Sequence, residues 1–322
     1  MRSLLALRPV AAVHRLPPRS EACPLSLRDL LRSGAAPLLP LIVSPIAAVA
    51  RAALLAAKEA RAVVGLALGP CADPGGWFDS VAQAADELAP GLPFFVSGEV
   101  SVGDGAEALE QAFAAAHRLI EAGATHLAVD VSAVALAHRA HAASQVAGVA
   151  AERELAVECV LPVGPEALLD PDAAVAFVEE FEGWGVRADL VGVRLGAGAA
   201  PADPLAQRTR LDALAEALGE HALLRRGPLP FGGAAALRGG RLRACEDGGA
   251  ALGAGWRALP PELRREAGAG RGGQLLPEAA SARLEALVYL EVSGFLEAVG
   301  CAGSARAVEA ALGAGGASPA RR

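Results

Sequence analysis

Short apolar runs alternate along this chain with longer segments whose apolar residues recur every three or four positions. The unit is clearest between Asp104 and Ser132. Asp104 stands where an N-cap belongs, and Glu107 three residues later completes a capping-box pattern. Leu109, Phe113, Ala116 and Ile120 share one helical face, and Gly123 is the expected stop. The run from His126 to Val131 is then mostly apolar without alternation, as expected of a strand buried on both faces of a parallel sheet. Asp130 and Ser132 close it.

The same unit repeats. Apolar runs at 37–43, 62–68, 93–96, 126–131, 156–160, 189–195, 222–224 and 241–245 predict eight strands, the last of them poor. Helical periodicity fills the intervals. Its caps include Ser26, Ser44 with Pro45, Asp170 with Pro171 and Asp203 with Pro204. Gly75 and Gly76 read as a loop, and 248–274 as a longer one with a single helical turn at 262–265. A long helix over 277–299 and a short one from Ser304 finish the chain. Eight strand–helix alternations predict an α/β fold, a (β/α)8 TIM barrel with a C-terminal helical extension. The expected division is an N-terminal segment with a short helix (1–35), the barrel (36–250) and a loop with helices packing on it (251–322). An open doubly wound sheet is the alternative, weakened by the lack of a GxGxxG after the first strand.

Composition narrows the function. The chain has 322 residues, 53% hydrophobic and 20% charged, which suits one large domain. Much of the apolar fraction is alanine, and no run of about 18 strongly apolar residues occurs, so no membrane span is expected. A net charge of −7 argues against nucleic acid as a partner. Five dispersed cysteines without a CxxC indicate neither a disulfide framework nor a zinc ribbon, and a reducing cytoplasm is the simplest setting. Residues 1–20 carry four arginines and no acid, but Arg8 and Pro9 break their apolar run, so a frayed start is expected rather than a targeting segment.

Barrel chemistry belongs at the carboxyl ends of strands. Those positions hold Glu99, Asp130, Ser132, Glu158, Arg194, Arg225, Arg226, Glu246 and Asp247. Arginines there can clamp phosphate or carboxylate, and a carboxylate between them can move a proton. The competing reading is a self-neutralising salt network. The loop 227–233 follows the seventh strand, and its Gly232 and Gly233 could offer backbone N–H groups to a phosphate, or simply turn. His117, His138 and His141 fall on helices outside the barrel and read as surface. The only lysine, Lys58, is mid-helix, which argues against Schiff-base chemistry.

The strand sequences resemble those of the class II aldolase barrels, including the tagatose-bisphosphate branch. Residues 93–100 resemble the family strand ending in Asp-His, and 127–132 the next, ending in Asp-x-Ser. Glu158 falls at a metal-binding glutamate, 189–196 before the second metal histidine, 223–227 at His-Gly-Gly, and 241–247 at a strand ending in Thr-Asp. The resemblance implies carbohydrate metabolism and a sugar phosphate or similar anion as ligand. It also implies that Glu99 replaces the catalytic aspartate, while Val100, a position near Ala199, and Arg225 replace the zinc histidines. Zinc needs three such ligands, so neither a metal nor another cofactor is expected. The leading expectation is a metal-independent lyase or isomerase. Glu99 or Asp130 would be its base, and Ser132, Glu158, Arg194, Arg225, Gly232, Gly233 and Asp247 would contact the substrate, with Arg194 and Arg225 as the clamp. One alternative is a catalytically silent partner or scaffold subunit of an aldolase, or a homo-oligomer. Another is a Mg²⁺ or Mn²⁺ site drawn from Glu99, Asp130, Glu158 and Asp247.

Overall fold

The computed structural model describes residues 4–68, 73–161, 170–195, 203–229, 231–269 and 276–314. Eight parallel strands close into a barrel: β1 (Leu39–Val43), β2 (Val64–Ala67), β3 (Pro93–Ser101), β4 (His126–Asp130), β5 (Ala156–Leu161), β6 (Leu190–Arg194), β7 (Ala222–Arg226) and β8 (Ala244–Glu246). Consecutive strands are neighbours throughout, and β8 pairs with β1 through Leu39 and Ala244. Helices follow the strands in turn: α1 (Ala47–Ala60), α2 (Pro74–Leu88), α3 (Ala106–Glu121), α4 (Arg139–Glu152), α5 (Pro171–Gly183), α6 (Pro204–Ala217), α7 (Phe231–Leu237) and α8 (Ala250–Ala258). The barrel reading therefore holds, and the open sheet does not.

The nine-residue β3 serves two neighbours at different heights. Its first half pairs with β2, Val64 opposite Phe94, while Ser97 to Ser101 pair with β4. Below the start of β4, the two-residue strand Cys23–Pro24 takes the vacant edge of β3. Side chains alternate between barrel axis and helices, as the period of two requires. Leu39, Leu41, Phe95, Ala156, Leu190, Leu224 and Ala244 form an inner cluster with Leu27 and Leu30 of the short helix Leu27–Arg32. Leu38, Ile42, Val64, Phe94, Val96, Leu127, Val157, Val191 and Leu223 pack outward against the helices.

The first and last described segments meet on the same floor, where Leu4, Leu5 and Leu7 pack in one cluster with Ala305 and Val308. Leu27–Arg32 closes the amino end of the barrel from inside the sequence's first segment. The helix α9 (Pro261–Ala269) precedes α10 (Glu278–Val299), whose Leu284, Val288, Val292 and Phe295 are buried against the fold. In α11 (Ser304–Ala314), Ala305 and Val308 join the inner cluster, and the Ser304 hydroxyl accepts the Val63 N–H at 2.9 Å. Among the described residues no single helix is long and apolar enough to cross a membrane.

Four local expectations are corrected. Residues 4–20 are ordered rather than frayed: Arg8 donates to the carbonyls of Ser20 and Ala22, and Arg15 pairs with Asp79 at 2.7 Å. Gly75 and Gly76 lie in the first turn of α2, because Asp73 caps it by accepting the Gly76 N–H and Pro74 opens it. Asp104 does not cap α3. The chain enters through Gly105 at φ 92°, and Glu107 instead accepts from Gln111. Residues 250–269 form α8 and α9 rather than a loop. There Gly255 is a packing residue: a Cβ on it would lie 2.7 Å from the Val288 side chain, so glycine lets α8 lie close on α10.

The four described cysteines, Cys23, Cys159, Cys245 and Cys301, are free and buried. Burial raises each thiol, to about 12 for Cys23 and Cys301.

Candidate functional site

The carboxyl end of the barrel interior is filled by charge. Arg226, at the end of β7, is 1% exposed and sits at the centre. Its Nε and Nη2 donate to the two oxygens of Glu158 at 2.5 and 2.7 Å, a bidentate pair. Its Nη1 donates to Glu246 at 2.8 Å and to Glu99 at 3.0 Å. Three strands thus converge on one guanidinium. Gly192 on β6 makes this fit possible, since a Cβ there would lie 2.0 Å from a Glu158 oxygen.

Behind Glu158 the polar chain continues. His126 Nε2 lies 3.0 Å from Glu158 Oε2, and Nδ1 lies 2.9 Å from the Ser97 hydroxyl. All three residues are buried. For Glu158, burial alone would raise the carboxyl pKa, but the charge and paired hydrogen bonds of Arg226, with His126, outweigh it and hold the group well below the ordinary carboxylate range. Burial likewise opposes the charge on Arg226, and its carboxylates more than compensate.

Towards solvent, Arg194 at the end of β6 donates to Glu99, and its Nε is 3.4 Å from Asp130. Asp130 in turn accepts the Ser132 N–H at 2.9 Å and hydroxyl at 2.6 Å. A cavity of about 550 Å³ opens above this group, and its walls include Ser97, Glu99, Arg118, Arg194, Arg226 and Glu246.

The positions proposed from sequence therefore separate. Glu99, Asp130, Glu158 and Arg194 come together at the mouth. Ser132 is exposed and anchors Asp130 rather than lining the cavity. Arg225 does not converge with Arg194. Its neighbour Arg226 takes the inward place, and Arg225 donates to the carbonyls of Gly227 and Pro228 at 2.5 and 2.6 Å. Adjacent residues of a strand face opposite sides, so only one of the two arginines can enter the barrel. Asp247 is also a backbone ligand: it accepts from the N–H groups of Val43, Gly249 and Ala251 and so ties β1 to the start of α8. Burial pushes its carboxyl up to about 6 despite these donors. Gly232 and Gly233 fall in the first turn of α7. Ser97 and His126 carry no expectation from sequence, and Arg226 and Glu246 only that of belonging to the ring of strand ends. Two residues back from Glu99 is Ser97 and four back from Asp130 is His126, on the same strand face in each case, and that parity is the available signal.

A class II aldolase would hold zinc here, and the donor set does not fit it. Both oxygens of Glu158 are taken by Arg226. Val100 packs outward and Arg225 holds carbonyls, while Ala199 lies outside the described residues. Among the described residues no group of three or more His, Cys, Asp or Glu side chains is placed to hold a metal ion.

No family model matches the chain, and no curated protein matches it. Solved structures do. The YdjI aldolase of Escherichia coli K12 shares 15% identity over 87% of this chain and 98% of its own, with a TM-score of 0.62. A putative fructose-1,6-biphosphate aldolase of Coccidioides immitis shares 16% over 87% and 97%, with a TM-score of 0.61. A probable tagatose 6 phosphate kinase of Sinorhizobium meliloti 1021 shares 19% over 87% and 88%, with a TM-score of 0.55. At these identities what is shared is the fold: the chain is a TIM barrel built like those of solved aldolases.

Proposed function

We propose that this barrel binds a sugar phosphate, or a similar small anion carrying hydroxyl groups, in the cavity over Arg194. One observation carries the reading. Arg194, its side chain 40% exposed, stands at the cavity wall between Glu99 and Asp130. A guanidinium presents paired donors to phosphate or carboxylate, and the flanking carboxylates accept from sugar hydroxyls. Arg118 on α3 adds a further cation to the same wall, beside Arg194 and Arg226. Two proteins of like fold, the YdjI aldolase and the putative fructose-1,6-biphosphate aldolase, favour the same ligand class.

The activity proposed is that of a metal-independent lyase or isomerase. Glu99 or Asp130 takes a proton from the carbon beside a carbonyl, and Arg194 stabilises the charge that develops on the carbonyl oxygen. Arg226 supplies a fixed positive charge behind Glu99. A second reading, the catalytically silent partner subunit, is favoured by a different observation: Glu99 is held by two guanidiniums and Arg226 by three carboxylates, so the mouth groups engage one another.

Thermal unfolding with a panel of ketose and aldose phosphates, up to about 10 mM against KCl of equal ionic strength, tests binding. The wild type is expected to gain stability with concentration, and Arg194→Ala to lose that gain while remaining folded. Absence of any gain in the wild type overturns the anion reading. Deuterium exchange at the carbon beside the carbonyl, followed by NMR in D₂O, separates the two readings. Exchange supports the enzyme, and binding without exchange supports the silent barrel.

A further inference from the structure

We propose that the opposite, amino-terminal face of the barrel carries a second anion site, shaped for a small phosphate-rich molecule and independent of the mouth. A cavity of about 700 Å³ lies there, between the helix Leu27–Arg32 and the residues that lead into β1, β6, β7 and β8. Five arginines line it: Arg28, Arg32, Arg187, Arg241 and Arg243.

The carboxylates nearby do not neutralise them. Asp189 is engaged by Arg28 at 2.6 and 2.8 Å and by the Val157 N–H at 3.0 Å. Arg28 also donates to the carbonyls of Glu154 and Leu155, so this pair is a structural staple. Glu220 is 89% exposed and 3.5 Å from Arg187. Glu216 is 71% exposed and 3.7 Å from Arg241. Loose exposed pairs of this kind contribute little, and a multivalent anion can displace them. Arg32 and Arg243 have no carboxylate partner among the described residues.

Arg243 gives the second observation. Its Nε is buried in the cavity wall and has no hydrogen-bond partner. A buried N–H without an acceptor is unfavourable, so nothing on the protein side holds this guanidinium through Nε, and a small turn of the half-buried side chain would bring it onto a phosphate oxygen in the cavity. The lining also bounds the ligand. It contains no Phe, Tyr or Trp, so there is no platform for a nucleobase. The ring nitrogens of His221 are already occupied by the Leu218 carbonyl and Glu182. The chemistry left is phosphate recognition by guanidinium groups.

Inorganic tripolyphosphate is the probe, titrated calorimetrically into the full chain at constant ionic strength. The wild type and Arg194→Ala are expected to bind it alike. The double variant Arg32→Gln/Arg243→Gln is expected to bind it at least about tenfold more weakly. Arg32 is exposed, so Arg32→Gln alone keeps the test standing if the double variant fails to fold, with a several-fold weakening expected. Unchanged binding in both arginine variants overturns the proposal, and so does the absence of wild-type binding up to about 10 mM. Loss of binding in Arg194→Ala would move the site to the mouth and overturn it as well. Sugar phosphate binding at the mouth is measured in the same variants, so the two sites fail separately.

Discussion

Strand β7 carries both halves of the barrel interior. Leu224 and Arg226 face the same axis two residues apart, each sealed from solvent. Around Leu224 the interior is apolar, filled by Leu39, Leu41, Phe95 and Leu190. Around Arg226 it is ionic, filled by Glu99, Glu158 and Glu246. The contrast lies in how each half fails. An apolar neighbour lost from the lower half leaves a void whose cost scales with its size. A partner lost from the upper half leaves uncompensated charge, and the cost falls on the groups that remain.

The largest effect is therefore expected at Arg226. Arg226→Met strands three carboxylates and should remove about 3–5 kcal/mol of stability in urea unfolding. Glu158→Gln in the same chain should give part of that back, so the double variant loses less than the two single losses added. Strict additivity would show that the three strands do not share one network. Leu224→Ala should cost about 2–5 kcal/mol, and that loss should stay the same in low and high salt.

pH sharpens the comparison further. Glu158 has its carboxyl held below its ordinary 4.5, so its contribution is complete above that value and is lost as pH falls through the acid range. Asp247 has the opposite sign. Its carboxyl is pushed up from 3.8 to about 6, so the folded state takes up the proton first and stability is gained as pH falls between those values. Stability should thus rise by on the order of 1–3 kcal/mol from pH 7 toward the acid side and then fall. Glu158→Gln should flatten the acid limb, and Asp247→Asn the limb nearer neutrality. The smallest effect is expected at Arg194, which is partly solvated: Arg194→Ala should cost no more than about 1 kcal/mol while abolishing the response to sugar phosphates.

The barrel was legible because its signals are local. Asp170–Pro171 and Asp203–Pro204 cap α5 and α6 as their chemistry dictates, and the buried strands read as unbroken apolar runs. α8 was hidden because Gly253 and Gly255 read as breakers, and only the presence of α10 shows that Gly255 is there for close packing. The mouth was legible as a set of strand ends but not as a geometry. In β7, Leu223 and Leu224 are both apolar because both faces are covered, so no alternation says whether Arg225 or Arg226 turns inward. His126 was hidden in the same way, since a polar residue at the start of an apolar run gives no hint that Ser97 and Glu158, far away in sequence, will flank it.

The four buried thiols make the molecule its own clock. Cys23 lies in the small strand beside β3, Cys159 in β5, Cys245 in β8, and Cys301 just after α10. A thiol that is both sealed and hard to ionise reacts only when its surroundings open. The order in which a small disulfide reagent reaches them therefore records which part of the wall lets go first. The Cys23 strand, only two residues long, is expected to release well before Cys159 and Cys245 in the barrel wall.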